Sequence, residues 1–514
     1  FFRLTTFARW RTMNQWRHIP ITRGRSRSVD SVSSRSRVSE PRAFGQISNG
    51  SPTDWIAPHN YSAKVENYNE VPTFPERPHF EHDRNKISSH TLCVCFDGCP
   101  NDPYHPASMP IYQTATFVQP SVTEFGPYDY TRSGNPTRTA VETLVAKLEG
   151  AYAAFAFTSG MSALATLLHL FSSGDEIIAC SDLYGGMHRL LTQVCNRQGI
   201  KVKFIDTTKL SRVEREINKN TVLIHVETPS NPLMRVTDLR KLSEICRKNG
   251  SLLSVDATMM SPVLLQPLKL GVDIVMHSAT KFLSGHSDTM AGFLASSDQD
   301  ICKRIAFLQN AEGTALAPFD CWLLLRGIKT LALRVERAQE NARHVANFLA
   351  TQSRVKKLHF VGMHNNGDSE AKLSVDPKSY EIHRSQSKGH PCVLSFETGD
   401  VKFSQRIVDA CQLFKITVSF GSCNSLVEMP CTLSHASIPA EKRTLPEDLI
   451  RLSVGIEDPR DIVDDLARAF RCAASNVEDV RSIKGDPDMP EEMPATPLAR
   501  SNSGSSMDNF EASV

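Results

Sequence analysis

No short cysteine-pair motif repeats in this chain, although it contains thirteen cysteines, and no apolar secretory leader precedes them. The expectation is therefore a reducing compartment with free thiols, not a disulfide framework. Cys93, Cys95 and Cys99 cluster, but no second ligand pair stands at finger-like spacing, so no metal is expected. An excess of one charge is also missing. Lys and Arg number 58 against 56 Asp and Glu, a net +2, so no global field argues for nucleic acid as a partner. Long apolar runs are scarce as well. Ala151 to Phe171 comes nearest, but Thr158-Ser159-Gly160 interrupts it and His169 lies within it. It reads as two short buried elements and not as a membrane span. Gly-Lys-Ser/Thr is absent, which excludes a nucleotide phosphate loop. Ser159 lacks the Gly-x-Ser-x-Gly elbow, which argues against a hydrolase nucleophile.

Acidic residues are missing before Asp30, while Arg3, Arg9, Arg11, Arg17, Arg23, Arg25 and Arg27 accumulate there. Such an Arg- and Ser-rich, acid-poor stretch has the composition of an organellar transit peptide. A disordered, phosphorylatable arm has the same composition. A cytoplasmic location is the first expectation, with a plastid or mitochondrion as the alternative. The organisation expected is a disordered extension over 1–87, an N-terminal arm over 88–145 and a large domain over 146–335. A small domain over 336–474 and a disordered tail over 475–514 complete it.

Between Ala153 and Ser296 short apolar runs alternate with amphipathic ones. The runs predict strands at Ala153–Phe157, Glu176–Cys180, Val202–Ile205, Val222–Val226, Leu252–Asp256, Ile274–His277 and Ala291–Ala295. Helical patterns between them imply an α/β fold with a mainly parallel seven-stranded sheet covered on both faces. A long helix from Cys321 to Leu349 should lead into a smaller α+β domain. Strands are expected there at Val393–Glu397 and Ile416–Phe420, with a helix from Asp461 to Cys472.

In parallel sheets ligands sit at the carboxyl ends of strands, and three chemically useful segments fall at such ends. Val272 to His277 is an apolar strand that delivers Lys281, followed by Ser284-Gly285-His286-Ser287-Asp288. An amine among phosphate-holding donors suits pyridoxal phosphate bound as a Schiff base. Asp256 closes another strand, where a carboxylate can hold a protonated pyridine nitrogen; capping a turn is its commoner role. Thr158-Ser159-Gly160-Met161-Ser162 joins a strand to a helix start, whose unpaired N–H groups attract phosphate. Tyr184, beside Gly185 and Gly186, can stack on a ring or simply sit on a surface turn. Arg451, in a strand of the small domain, suits capture of a carboxylate or a structural ion pair.

These segments together resemble the Cys/Met-metabolism family of pyridoxal-phosphate enzymes, from about Thr91 to about Cys472. Ser278-Ala279-Thr280-Lys281 with Gly285-His286-Ser287-Asp288 is similar to its cofactor-lysine signature. Glu227-Thr228-Pro229-Ser230-Asn231-Pro232 is similar to the loop whose asparagine approaches the cofactor's phenolic oxygen. Tyr128 to Thr137 resembles the segment that lends Tyr130 and Arg132 to the phosphate of a neighbouring subunit. The resemblance implies an aspartate-aminotransferase-like, fold type I architecture and pyridoxal 5'-phosphate as cofactor. It implies phosphate contacts from the N–H groups of Gly160 and Met161 and the hydroxyls of Ser278 and Thr280. Tyr184 would stack on the ring and assist proton transfer, Asp256 would hold the ring nitrogen, and Lys281 would be the catalytic lysine. Arg451, with Ser419 and Tyr130, would bind the substrate. A homotetramer built from site-sharing dimers is implied too.

Within the family the likeness is greatest to plant-type, β-eliminating members. It is carried by Pro110 to Phe117, Gly313 to Asp320 and Ser434 to Glu441. Members acting at the γ carbon typically show Glu-Ser-Leu-Gly where this chain has Val418-Ser419-Phe420-Gly421. The expected reaction is β-elimination of cystathionine to homocysteine, pyruvate and ammonia. The γ-acting lyase or synthase on the same fold is the nearest alternative, and an inactive scaffold is an alternative of another class.

Overall fold

The computed structural model describes residues 87–96, 102, 104, 106–364, 372–434 and 445–475. Expectations for 1–86, Cys99, 435–441 and 476–514 lie outside the described residues.

Seven strands form the larger sheet: β1 (Ala153–Phe157), β2 (Glu176–Cys180), β3 (Lys201–Ile205), β4 (Thr221–Glu227), β5 (Leu252–Asp256), β6 (Ile274–Ser278) and β7 (Gly292–Ser296). Their spatial order is β1-β7-β6-β5-β4-β2-β3. Pairings from β6 through β5, β4 and β2 to β3 are parallel, whereas β7 runs antiparallel to both β6 and β1. The mixed edge has a simple cause. The segment between β6 and β7 is a turn region without a helix, whereas parallel neighbours are usually joined through a crossover helix. β2 and β7 are buried along their whole length, as expected of strands covered on both faces.

Helices in the gaps begin and end on local signals. Ser159 caps the helix Gly160–Leu168 by accepting the Ser162 N–H at 3.0 Å. Asp238 caps Leu239–Asn249, which stops at Gly250 in the left-handed conformation. Side chains such as Phe157, Ile177, Ile178 and Phe293 are fully buried between the layers, each contributing about 1.5–3 kcal/mol.

The single helix expected from Cys321 to Leu349 is instead two, Pro318–Ile328 and Leu331–Thr351. Arg334 explains the break. Its guanidinium donates to the carbonyls of Gly327 and Phe282, both at 2.8 Å, and its Nε donates to Thr330 Oγ1 at 3.0 Å. A side chain thus satisfies the end of the first helix and ties it to the turn that follows Lys281. The second helix serves two cores. Leu331, Val335 and Ala338 pack in the first, and Ala342, Val345 and Leu349 pack in the second with Phe396 and Phe403.

The second core lies on a five-stranded sheet of β8 (Lys357–His359), β9 (Val393–Glu397), β10 (Lys415–Ile416), β11 (Leu426–Glu428) and β12 (Ile450–Ser453), in the order β10-β11-β12-β9-β8. The strand expected over Ile416–Phe420 keeps only its first residue in β10. Beyond it Ser419 has φ 127° and Gly421 has φ 82°, so the chain leaves the sheet. A Cβ on Gly421 would stand 2.7 Å from the Phe282 nitrogen; only glycine lets this segment lie against the backbone beside Lys281. No described helix is long and apolar enough to cross a membrane.

Candidate active site

The turn after β6 presents Lys281 to the segment after β10. Its Nζ donates to Ser419 Oγ at 2.6 Å and lies 5.1 Å from the centre of the Phe420 ring. Burial pushes the pKa of this amine down to about 8, and the nearby Arg451 charge pushes the same way; Glu428 and Asp256 oppose them in part. The amine is therefore largely protonated at neutral pH yet has a substantial neutral, nucleophilic fraction.

Asp256 and Glu227 end adjacent parallel strands in direct register. The Thr258 N–H donates to Asp256 Oδ1 at 2.9 Å, and the Tyr184 N–H donates to Glu227 Oε1 at 2.7 Å. Burial, then the charge of Asp256, raises the Glu227 carboxyl well above the usual range, while the same carboxyl fixes the Tyr184 backbone. The Tyr184 ring lies over Gly186, where a Cβ would come within 2.4 Å of the ring. Behind Asp256, His225 shares a 2.8 Å hydrogen bond with Ser254, and burial lowers its pKa to about 4.

The helix opening at Gly160 faces the end of β6. A Cβ at Gly160 would lie 3.0 Å from Ser278 Cβ and 3.1 Å from both Ser278 Oγ and the Met276 methyl. The glycine keeps open a small cradle bordered by helix N–H groups and one hydroxyl. Met161 is the next residue of that helix, and its sulfur borders Gly186. Thr280 is engaged elsewhere: its hydroxyl accepts the Ala291 N–H at 3.0 Å and donates to the Ala291 carbonyl at 3.3 Å.

Arg451 arrives from β12, directly opposite Glu428 of β11. Its Nη1 lies 2.8 Å from Glu428 Oε1 and donates to Asn231 Oδ1 at 3.0 Å; Nη2 donates to the Ser419 carbonyl. Glu428 and Arg451 are 0 % and 3 % exposed. Ser419 thus meets Lys281 through its hydroxyl and Arg451 through its carbonyl. Val418, beside it, is half exposed.

Lys281, Ser419, Arg451 and Asn231 are linked by hydrogen bonds, with Asp256 close enough for its charge to act on Lys281. Tyr130 and Arg132 are not part of that set. They line a separate cavity of about 490 Å³ with Gln113, Gly313, Ala315 and Pro318, and Arg132 donates to the Asn310 carbonyl at 3.3 Å. Among the described residues, neither makes a hydrogen bond or ion pair with Lys281, Asp256 or Arg451.

Sequence reasoning missed Glu227 and Glu428 as individual residues. Glu227 carried the same signal as Asp256, an acid closing an apolar run. Glu428 carried none, because its partner stands across the sheet, over twenty positions away.

Residues 90–471 match the family described as Cys/Met metabolism PLP-dependent enzyme. The chain is 52% identical over 391 residues to "Cystathionine beta-lyase, chloroplastic" of Arabidopsis thaliana, covering 76% of this chain and 82% of the relative. It is 46% identical over 374 residues to "Cystathionine beta-lyase" of Neurospora crassa, covering 72% and 79%. Among solved structures, cystathionine gamma-lyase from Lactobacillus plantarum complexed with L-serine superposes with a TM-score of 0.71 at 37% identity, covering 76% of this chain and all of the other.

Proposed function

The chain belongs to the Cys/Met-metabolism family of PLP-dependent enzymes and has their fold type I architecture; from that premise we propose the division of labour by which it acts as a cystathionine β-lyase. It is a PLP-dependent carbon–sulfur lyase that releases homocysteine, pyruvate and ammonia from cystathionine. The observation that carries the reading is the link through Ser419, which sets a partly neutral amine and a buried guanidinium around one space.

The residues present fit pyridoxal 5'-phosphate. The cradle that a Cβ on Gly160 would fill offers helix N–H groups and the Ser278 hydroxyl to a phosphate. Asp256 stands at a strand end beside the lysine, as a partner for a pyridinium nitrogen requires. When bound, the cofactor supplies an electron sink for the charge left at the substrate's Cα.

The chain's own residues do the rest. Gly160 and Met161 hold phosphate through backbone N–H groups, with Ser278, while Thr280 secures the turn through Ala291. Tyr184 would cover one face of the ring, Asn231 would approach its phenolic oxygen, and Asp256 would keep its nitrogen protonated. Arg451, helped by Ser419, takes the substrate's α-carboxylate and so turns the Cα–H bond toward Lys281. Lys281 would hold the cofactor through its side-chain nitrogen, and the same amine, when free, would take the substrate's Cα proton. Tyr184 assists the proton transfers. The apolar Val418 leaves the position beside Ser419 without a carboxylate that could work at the γ carbon, which supports β-elimination.

Tyr130 and Arg132 complete the site of a neighbouring copy, in a dimer that pairs into a tetramer. Their separation from Lys281 within one chain supports this. The enzyme works in the cytoplasm, or in a plastid if the Arg/Ser-rich extension is a transit peptide; the Arabidopsis relative is named chloroplastic. A fluorescent fusion of residues 1–87 distinguishes the two.

Quantifying products from cystathionine tests the reaction. Pyruvate and homocysteine are expected in equal amounts; 2-oxobutyrate and cysteine as the main products would refute it. Mixed oligomers of Arg132→Ala and Lys281→Ala chains should regain activity that neither parent has, and mixed oligomers that stay inactive would refute site sharing.

A further inference from the structure

Glu428 is buried, charged and absent from the roles above. We propose that it is a positioning residue for substrate: it fixes the Arg451 guanidinium so that one edge faces the site, ready for a carboxylate. This rests on Arg451 being the carboxylate clamp.

The five guanidinium hydrogens can be accounted for. Nη1 donates one hydrogen to Asn231 and makes a 2.8 Å ion-pair contact with Glu428. Nη2 gives one hydrogen to the Ser419 carbonyl. Nε is buried and has no partner. The Nε hydrogen and a second Nη2 hydrogen have no partner among the described residues, and Nε and Nη2 share one edge of the group. Two parallel donors on one edge are what a carboxylate binds in bidentate fashion. Glu428 holds the opposite side. It is itself oriented by the Ser434 hydroxyl at 2.6 Å on Oε1 and by its place directly across the antiparallel ladder from Arg451.

The arrangement also balances charge. Without Glu428, Arg451 and the Lys281 ammonium would face each other in a buried space with Asp256 as the nearest counter-charge. The Glu428 charge favours the protonated amine and opposes the Arg451 charge there. A structural ion pair between β11 and β12 would show the same 2.8 Å contact, so the test must read substrate geometry and not stability alone.

Glu428→Gln keeps the shape of the side chain and removes its charge. In the cofactor-loaded protein, KM for cystathionine should rise about tenfold or more, with a smaller change in kcat. Binding of glycine, followed by the cofactor's visible absorbance, should weaken about tenfold, whereas binding of methylamine, which lacks the carboxylate, should not change. Glu428→Asp should restore part of the glycine affinity. If Glu428→Gln lowers Tm but leaves KM and glycine binding at wild-type values, Glu428 is structural only and the inference fails. If Glu428→Gln does not fold, Glu428→Asp decides by the same two ligands: a glycine-specific loss supports the inference, and unchanged glycine binding overturns it. Arg451→Lys separates this from the premise. Unchanged KM in that variant sinks the clamp itself, while a raised KM there with a normal Glu428→Gln sinks only the role of Glu428.

Discussion

At pH 7 a lysine in water keeps only about one neutral amine in 3,000, and a neutral amine is what attacks a carbonyl. Lys281, pushed down to about 8 by burial and by Arg451, has about one in ten neutral. The structure therefore predicts a ~300-fold larger reactive fraction at neutral pH than for an ordinary lysine. The assay is the rate at which cofactor-free protein takes up pyridoxal phosphate, read from visible absorbance across pH 6 to 11. The rate should rise with pH and level off, with its midpoint near 8. Asp256→Asn removes a charge that favours the protonated amine, so it should move the midpoint lower. The same shift has a stability consequence. Between about 8 and the ordinary 10.5 the unfolded chain holds the Lys281 proton and the folded one does not. The cofactor-free protein should gain stability from this group as pH rises through that window. A wild-type midpoint above 10, or an upward shift in Asp256→Asn, would refute the reasoning.

Lys281→Ala should abolish turnover and the visible absorbance of the covalently held cofactor; Asp256→Ala should keep the absorbance and lose most activity. Gly160→Ala places a methyl 3.0–3.1 Å from Ser278 and Met276; cofactor affinity by equilibrium dialysis should fall about tenfold or more. His277 and Glu149, 1 % and 0 % exposed and 2.5 Å apart, form a buried pair behind β6. His277→Ala should destabilise the protein by about 3–5 kcal/mol in denaturant unfolding, because it leaves Glu149 uncompensated. Burial raises the Glu142 pKa from 4.5 to about 7, so the folded state binds more protons in that window and stability falls as pH rises through it. Glu142→Gln should flatten that part of the stability–pH curve.

The large sheet was legible because its strands are apolar runs with sharp ends, and every one of the seven was found within about a residue or two. Direction was not legible: nothing in Ala291 to Ala295 marks β7 as antiparallel, since that depends on the preceding segment folding as turns and not as a crossover helix. The helix break at Lys329-Thr330 was hidden for a similar reason. Its cause is the distant backbone around Lys281 reaching Arg334. At the site, residues at strand ends such as Lys281 and Asp256 announced themselves. Ser419 was named only through the family resemblance: its own segment reads as a strand, whereas its φ of 127° takes it out of the sheet, where it meets Lys281 and Arg451. Glu428 needed the ladder to be seen at all.

β7 has one more consequence, for the order in which the molecule is built. It fills the slot between β1 and β6, pairing Ala153 with Ser296, and Gly292 packs against the Ser159–Gly160 backbone. The first wall of the cradle at Gly160, the proposed phosphate site, is thus synthesised near residue 160, but its backing arrives more than a hundred residues later. Closing so long a loop is slow. A nascent chain that ends before Ser296 has the helix start and the lysine but no strand to hold them together, so cofactor capture must wait until the whole sheet has closed.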